Sequence, residues 1–367
     1  MNALAALAGW GWDDGHANAF ASQAGASHEA GRILIEDRGS YLVGTAAGDV
    51  RATVSGRFRF DAELVGPTGF PVVGDWVILQ PTGDPEQRLV RGLLPRRTAV
   101  IRRAPIDRGA AEQVLAANVD LLLIVTSLNH DLNPRRLERY LAVAWSAGAE
   151  PILVLNKADL ATDVDVVLAR VEQLAGGVPV HAVSATTGQG LDALAARLVD
   201  GRTVALMGSS GVGKSTLVNA LAGEIVEATG EIREDDGRGR HTTSRRHLVR
   251  VPGRGLILDT PGLRELGLSD DDGGLDATFS DIDALAVGCR FDDCRHEREP
   301  GCAVGQAISD GSLDPARLES RRKLDRETAR VERQNDPRAR AERKRQNRLI
   351  HNAVNHHMRM KYGEEGW

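Results

Sequence analysis

The chain has 367 residues, 42% of them hydrophobic, and a formal charge of −5 at pH 7. This length predicts two or three domains. No apolar run approaches the roughly 20 residues that a membrane-spanning helix needs, and the first residues lack the basic region of a cleaved signal peptide. We therefore expect a cytoplasmic protein without a membrane partner.

Residues 1–30 show no clear periodicity, and the sequence predicts a partly disordered extension whose Trp10 and Trp12 pack on the next domain. Residues 31–105 contain five short strand candidates separated by Gly, Pro and Asp, which favours a small barrel such as an OB-fold. Basic residues crowd its end and form either a nucleic-acid-binding face or a solvated rim: Arg91, Arg96, Arg97, Arg102 and Arg103.

Residues 110–280 predict a second domain, in which apolar strands alternate with helices. Alternation of this kind is typical of a largely parallel sheet covered by helices. Ligands bind such sheets at the carboxyl ends of the strands. The motifs described next all lie at predicted strand ends.

The strongest motif is a phosphate-binding loop of the pattern G-x-x-x-x-G-K-[ST], between a predicted strand and a helix. Its glycines let backbone N–H groups surround a phosphate, and the helix N-terminus adds positive charge. Lys214 is predicted to reach the β- and γ-phosphates and Ser215 to bind Mg²⁺; the alternative is a chance glycine-rich turn. The candidate residues are Gly208, Ser209, Ser210, Gly211, Val212, Gly213, Lys214, Ser215 and Thr216.

Two further strand ends predict that the nucleotide's base is guanine. In Asn156-Lys157-Ala158-Asp159, the Asp159 carboxylate is expected to accept from guanine N1–H and the 2-amino group, donors that adenine does not offer there. The Lys157 stem covers the base, and Asn156 ties the loop together. A second strand ends in Ser184-Ala185, whose backbone N–H is expected to donate to guanine O6.

The last motif, Asp259-Thr260-Pro261-Gly262, supplies an aspartate for Mg²⁺ and, at Gly262, an N–H that senses the γ-phosphate. A polar segment before it is predicted to be switch I, where Thr242 or Thr243 completes the Mg²⁺ shell; we favour Thr243. Leu263 follows Gly262 and cannot orient water. His241 is therefore the candidate base, acting with Lys214 in catalysis; the alternative is an exposed loop histidine.

The order of these motifs differs from that of an ordinary small GTPase. The base-reading segments at 156 and 184 precede the phosphate-binding loop at 208, and Asp259 comes last. The same strands form the same site if the chain is circularly permuted, which folds tolerate when their termini lie close together. Switch II then leads directly into the C-terminal part of the chain.

All three cysteines fall between residues 289 and 302, together with a histidine. The set Cys289, Cys294, His296 and Cys302 suits a closed tetrahedral zinc site with a structural role. The alternative is three buried free thiols. Clustering of every cysteine favours the metal.

From residue 316 the chain is predicted to be helical and basic. Residues 321–361 carry fourteen Lys and Arg against five acidic residues, in a chain whose total charge is negative. This asymmetry favours a nucleic-acid-binding arm over a solvated helix. Pro337 interrupts the helical pattern, and the last thirty residues are expected to order only on RNA.

The permuted GTPase motifs, the β-rich segment before them and the Cys/His cluster after them resemble the ribosome small subunit-dependent GTPase A family over residues 31–335. The resemblance implies an N-terminal OB-fold barrel, a circularly permuted α/β P-loop GTPase domain and a C-terminal helical zinc-binding domain. It implies Mg²⁺-dependent GTP hydrolysis, stimulated by the small (30S) ribosomal subunit and timing its maturation, and contact with 16S rRNA.

On this basis we expect a monomer with five parts: an extension (1–30), a barrel (31–105), a GTPase domain (110–280), a zinc-binding domain (281–335) and a basic tail (336–367). Two other functions remain open from the residues alone. One is an RNA-binding protein in which GTP binding, rather than hydrolysis, is the switch. The other is an ATP-dependent enzyme, which Asn156-Lys157-Ala158-Asp159 disfavours.

Overall fold

The computed structural model of the chain describes residues 3–37, 39–103, 112–128, 131–223, 246–251, 253–259 and 273–335. The N-terminal extension is helical, with a 3₁₀ helix Ala3–Trp10 and helix α1 (Asp14–Gln23). The prediction of partial disorder is therefore wrong for the part of the extension that forms these two helices. Asp13 caps α1 by accepting from the His16 N–H at 2.9 Å, and Trp12 packs edge-on against Trp76 with ring centroids 4.8 Å apart. Such isolated aromatic anchors leave no periodic pattern in the sequence.

The next segment is a closed five-stranded barrel. Its strands are β1 (Glu29–Asp37), β2 (Ser40–Thr45), β3 (Gly48–Val54), β4 (Trp76–Pro81) and β5 (Gln87–Leu93). Strand β1 pairs with both β2 and β4, which closes the barrel, and β3 runs parallel to β5. The predicted OB-fold is confirmed. Helix α2 (Gly56–Val65) between β3 and β4 was not predicted, because Phe60 and Leu64 point to solvent and leave no apolar stripe facing the core.

A two-stranded hairpin, β6 (Ala99–Arg103) and β7 (Glu112–Ala117), connects the barrel to the α/β domain. The strands of that domain are β8 (Leu121–Ser127), β9 (Glu150–Asn156), β10 (Val180–Ala182), β11 (Thr203–Met207), β12 (His247–Val251) and β13 (Gly255–Asp259). Its helices are α3 (Pro134–Ser146), α4 (Val164–Ala175), α5 (Leu191–Ala195) and α6 (Lys214–Ala222).

The sheet order is β10-β9-β8-β11-β13-β12, in which β12 runs antiparallel to β13 and the other neighbours are parallel. Every residue of β8 is buried, because alternate side chains enter the two hydrophobic clusters on opposite faces of the sheet. Strand β11, which leads into the phosphate-binding motif, lies between β8 and β13. The strands that carry the base-reading motifs, β9 and β10, precede β11 in sequence and lie in the same parallel sheet, separated from β11 by β8, as the predicted permutation requires.

The C-terminal part is helical: α7 (Gly273–Thr278), α8 (Ser280–Ala286), α9 (Ala303–Ser309) and α10 (Pro315–Asn335). Arg317 of α10 holds it against the α/β domain. Its guanidinium contacts Asp281 at 2.7 and 2.8 Å and Glu138 of α3 at 3.2 Å. The basic tail from residue 336 lies outside the described residues.

A second arginine, Arg32 of β1, joins the barrel to the α/β domain. It is 1% exposed and donates to the carbonyl oxygens of Gly74 and Asn118 at 3.2 and 3.1 Å and to Thr203 Oγ1 at 2.7 Å. Thr203 begins β11, so this contact fixes the barrel at the base of the strand that leads to the phosphate-binding loop. Among the described helices, none combines the length and the apolar character needed to cross a membrane.

Candidate nucleotide and metal sites

The phosphate-binding loop, residues 208–213, leaves the end of β11 and enters α6. Gly208 has φ +149°, and a Cβ atom there would lie 2.1 Å from the Val125 carbonyl oxygen. Gly213 has φ +94°, and a Cβ atom there would lie 2.4 Å from Asn156 Nδ2. Both positions need glycine, because a side chain would collide with a neighbouring strand end as well as strain the backbone.

Lys214 lies at the start of α6 and folds back over the loop. Its Nζ donates to the carbonyl oxygens of Gly208 and Ser209 at 2.8 and 2.6 Å. Ser215 and Thr216 follow in the first turn of the helix, where backbone N–H groups have no helical partner and favour an anion. The start of α6 therefore brings a lysine, two hydroxyl-bearing residues and backbone N–H groups without helical partners to the carboxyl end of β11.

Asn156, at the end of β9, joins three loops. It is 2% exposed; its Nδ2 donates to the Val212 carbonyl at 2.8 Å, and its Oδ1 accepts from the Ala185 N–H at 3.1 Å. An amide offers both a donor and an acceptor, which a buried three-way contact of this kind requires. The candidate phosphate-binding and base-reading segments are thus held together by one side chain.

The base-reading segments lie beside this contact. Lys157 adopts the left-handed conformation with φ +62°, and its Nζ donates to the Gly211 carbonyl at 2.8 Å. The carboxylate-bearing Asp159 follows in an exposed 3₁₀ turn. Ser184 is fully buried and accepts from the Thr187 N–H at 3.1 Å, which shapes the loop that presents the Ala185 N–H.

Asp259 is the last residue of β13, where it pairs with His247 of β12. Partial desolvation lowers the pKa of His247. The other predicted switch residues lie outside the described residues: His241, Thr242, Thr243 and Gly262.

The candidate metal site is a cluster of Cys289, Cys294, His296 and Cys302, whose ligand atoms all lie within 4.8 Å of one another. His296 Nδ1 is 3.6 Å from Cys289 Sγ and 3.5 Å from Cys302 Sγ, and these two sulfurs are 3.9 Å apart. With Zn–S bonds of about 2.3 Å and Zn–N bonds of about 2.0 Å, a tetrahedron spaces sulfur and nitrogen about 3.5 Å apart and two sulfurs about 3.8 Å apart. The donor set and its spacing therefore fit a zinc ion.

Contacts outside the ligands hold the metal loop in shape. Arg322 of α10 donates to the carbonyl oxygens of Arg295 and His296 at 2.9 and 2.8 Å. The Glu299 carboxylate accepts from backbone N–H groups of the same loop, including that of Arg295 at 3.0 Å. These N–H groups, first its own and then that of Arg295, lower the pKa of Glu299 to about 2. The metal loop is therefore held in place by hydrogen bonds to its own Glu299 carboxylate and by hydrogen bonds from Arg322 of α10.

Sequence reasoning missed two polar residues that bear on the site. Tyr140 of α3 is 6% exposed, and burial raises its pKa. It lies beside the phosphate-binding loop, where the Ser209 side chain acts to lower that pKa. Its position one turn from Leu137 on the apolar stripe predicts burial but not this neighbour, and Arg317 carried no signal beyond its basic character.

The sheet order, the motif order and the loop contacts define this protein as a circularly permuted GTPase with a barrel before the GTPase domain and a Cys/His cluster after it. Comparison with known proteins agrees. The RsgA GTPase family model matches residues 93–269. The chain is 49% identical over 341 residues to the small ribosomal subunit biogenesis GTPase RsgA of Streptomyces coelicolor, covering 92% of this chain and 90% of that one. The protein of the same name from Opitutus terrae is 46% identical over 354 residues, 92% and 94% of the two chains.

Two solved structures are similar as well. YjeQ from Thermotoga maritima aligns with a TM-score of 0.62 and 26% identity, over 82% of this chain and 99% of that one. YloQ, described as a circularly permuted GTPase, aligns with a TM-score of 0.61 and 26% identity, over 83% and 96%. This chain belongs to the RsgA GTPase family, and its reaction is the hydrolysis of GTP.

Proposed function

We propose that this protein hydrolyses GTP on the small (30S) ribosomal subunit and couples hydrolysis to a late step of that subunit's maturation. The observation that carries the proposal is the 49% identity, over 92% of this chain, to a relative named for small ribosomal subunit biogenesis. The protein then works in the cytoplasm, as a monomer that contacts 16S rRNA.

The nucleotide lies across the carboxyl ends of β9 and β11 in this proposal. Asp159 reads the guanine, the Ala185 N–H donates to O6, and Asn156 keeps both loops against the phosphate-binding loop. Two contacts support this arrangement, because Asn156 reaches both Val212 and Ala185. Lys214 neutralises charge that develops on the phosphates in the transition state.

We assign Ser215, Asp259 and Thr243 to hold Mg²⁺. Hydroxyl and carboxylate oxygens suit this ion. Asp259 ends β13, and Ser215 lies in the first turn of α6, the helix that follows the neighbouring strand β11. When bound with GTP, the ion supplies positive charge to the phosphate oxygens.

His241 is our candidate for the group that accepts a proton from the attacking water. Leu263 occupies the position after Gly262, where Ras-like enzymes use a glutamine. A neutral imidazole is available near pH 7, because its ordinary pKa is about 6.5. A water-positioning group that depends on a partner also explains why hydrolysis needs the subunit.

The Cys/His cluster holds one structural zinc ion in this proposal. Four protein ligands complete a tetrahedron and leave no position for substrate. The barrel and the basic tail, residues 336–367, supply the contacts with rRNA, since OB-folds and basic segments both suit that ligand.

GTP hydrolysis measured with purified 30S subunits, with 50S subunits and with neither tests the function. We expect 30S subunits to raise the rate by at least about tenfold, since partner-supplied groups raise it by about 10³-fold to 10⁵-fold in other GTPases. The 50S subunits should leave it unchanged. Equal rates under all three conditions would contradict the proposed function.

A further inference from the structure

Strand β12 lies between the GTPase domain and the barrel. It pairs with β13 on one side and with β1 on the other, so the sheet continues from one domain into the other. His247 takes part in both pairings: it is opposite Asp259, the last residue of β13, and opposite Ile35 of β1. The barrel strand is therefore two strand spacings, about 10 Å, from the backbone of Asp259.

The backbone pairing between β1 and β12 is short. Within the described residues these two strands share one paired position, Ile35 with His247, whereas β12 and β13 share five. Pairings with few contacts open locally at a low cost in free energy. Side-chain contacts beside the one paired position therefore determine how firmly β12 is held against the barrel.

An ion pair lies directly beside that position. Glu36 follows Ile35 and Arg246 precedes His247, and Arg246 Nη1 is 3.6 Å from Glu36 Oε2. The two side chains are 37% and 18% exposed, respectively, for Glu36 and Arg246. Burial raises the pKa of Glu36 and lowers the pKa of Arg246, and each residue opposes this effect on its partner. Each charge is therefore disfavoured alone and stabilised by the other.

The other end of β1 is fixed to the base of the same sheet. Arg32, three residues before Ile35, is 1% exposed and donates to Thr203 Oγ1 at 2.7 Å, at the start of β11. Strand β1 is antiparallel to β12, which is antiparallel to β13, so β1 runs in the same direction as β13 and β11. It therefore extends from the base of the sheet, at Arg32, to the carboxyl edge, where Glu36 has a defined position next to β12.

We propose that Glu36 and Arg246 are positioning residues of the GTPase reaction: the pair holds β12 against the barrel and thereby fixes the backbone of Asp259. Both act through β12 and not by contact with the nucleotide. The inference rests on the assignment of Asp259 to Mg²⁺ in the proposed function, but not on any action at the ribosome. Coupling of this kind is reciprocal, so β1 is held more firmly when the magnesium site is filled.

Glu36→Gln tests the pair, because it removes the charge and keeps the size of the side chain. The measurement is the Kd for a non-hydrolysable GTP analogue, with saturating Mg²⁺ and with EDTA. The wild-type protein should bind more tightly with Mg²⁺; in Glu36→Gln this gain should fall about twofold to fivefold, the range for a partly exposed ion pair, and the Kd in EDTA should not change. Glu29→Gln is the matched control, since Glu29 also lies on β1 and is 30% exposed, but its partner Arg88 belongs to the barrel. It should change neither Kd.

Arg246→Gln should reduce the Mg²⁺ gain by a similar factor. The double variant Glu36→Gln/Arg246→Gln should lose less than the product of the two single effects, because the residues act as a pair. Amide hydrogen exchange tests the reciprocal direction. In the wild-type protein, the GTP analogue with Mg²⁺ should slow exchange in residues 33–36 and 246–251 several-fold, and in Glu36→Gln at saturating ligand this slowing should fall by at least half.

Asp259→Asn separates this inference from the assignment on which it rests. The variant should lose most of the Mg²⁺ gain. If it keeps the gain, Asp259 does not serve the ion, and the positioning role is overturned with that assignment. If Asp259→Asn loses the gain but folded Glu36→Gln and Arg246→Gln variants keep it, the assignment stands and the positioning role is wrong. Protection of β1 and β12 that is the same in Glu36→Gln as in the wild-type protein would also overturn the proposal.

Discussion

The two junctions that flank the GTPase domain are both built on a buried arginine, but the partners differ. At the N-terminal junction Arg32 donates to carbonyl oxygens and one hydroxyl. Burial lowers its pKa to about 10, although the nearby Asp120 and Asp75 act in the opposite direction. The guanidinium stays protonated at pH 7, but in an environment that disfavours its charge.

At the C-terminal junction Arg317 has carboxylate partners. Burial by itself lowers its pKa, but the hydrogen bonds and charge of Asp281, and then those of Glu138, outweigh burial and raise the pKa. Glu138 is as buried as Arg32. Loss of Arg32 therefore leaves neutral acceptors behind, whereas loss of Arg317 leaves a buried charge. The C-terminal junction should tolerate change less well than the N-terminal one.

Removal of zinc should have the largest effect, because it should weaken the C-terminal junction and leave the N-terminal junction intact. Structural zinc contributes on the order of 10 kcal/mol to the folding of small metal domains, and Arg322 connects the metal loop to α10. We expect one zinc per chain by elemental analysis. Chelation, or Cys289→Ala, should expose residues 277–335 to proteolysis while the barrel stays protected. Natively purified protein without metal would contradict this prediction.

Arg317→Met should have the next largest effect. It leaves buried Glu138 with only the 43% exposed Arg135 as a cation among the described residues, at 3.2 Å. Breaking a buried pair from one side costs about 3–5 kcal/mol, and the remaining contact with Arg135 should bring the loss toward the lower end of that range. Urea denaturation should report that loss. Asp281→Asn is the control: Asp281 is 42% exposed, so water can replace part of the contact and the loss should be clearly smaller.

Arg32→Met should cost less, about 2 kcal/mol. Unsatisfied neutral acceptors cost about 1–3 kcal/mol, and removal of a buried charge recovers part of that. The same denaturation experiment compares Arg32→Met directly with Arg317→Met. A greater loss for Arg32→Met would show that the nature of the partners does not set the strength of these junctions.

Arg97→Ala should have the smallest effect. Arg97 lies at the N-terminal junction, 2.7 Å from Asp13 and 3.3 Å from Asp120, but it is 43% exposed. Exposed pairs contribute about 0–1 kcal/mol and are screened by salt. The difference from wild type should therefore disappear at about 1 M NaCl, where the screening length is about 3 Å. A difference that persists in high salt would mean that Arg97 acts through packing.

The features that were predicted from the sequence are those whose residues are contiguous. The phosphate-binding loop, the Asn156-Lys157-Ala158-Asp159 segment and the Cys/His cluster each fit within a short stretch, so their spacing alone indicates their chemistry. The five barrel strands were predicted for the same reason, since alternation is a local pattern. Strand β12 and the hairpin β6–β7 were missed, because their polar flanks weaken that alternation.

Residues whose contacts join segments far apart in the sequence could not be predicted from any local pattern. Arg32 contacts Thr203, and Arg317 contacts Glu138, only because the fold brings their strands and helices together. In the sequence alone, neither arginine differs from the chain's other basic residues. Their roles depend on burial, which is a property of the packed molecule.

The sequence by itself determined the GTPase motifs, their permuted order, the Cys/His cluster and the OB-fold barrel, because each depends on the spacing of nearby residues. Only the tertiary structure decided how the parts are joined: Asn156 between three loops, and Arg32 and Arg317 at the two junctions. These contacts form between polar groups that are buried at the same place. Burial excludes water from them only when segments distant in the sequence pack against one another.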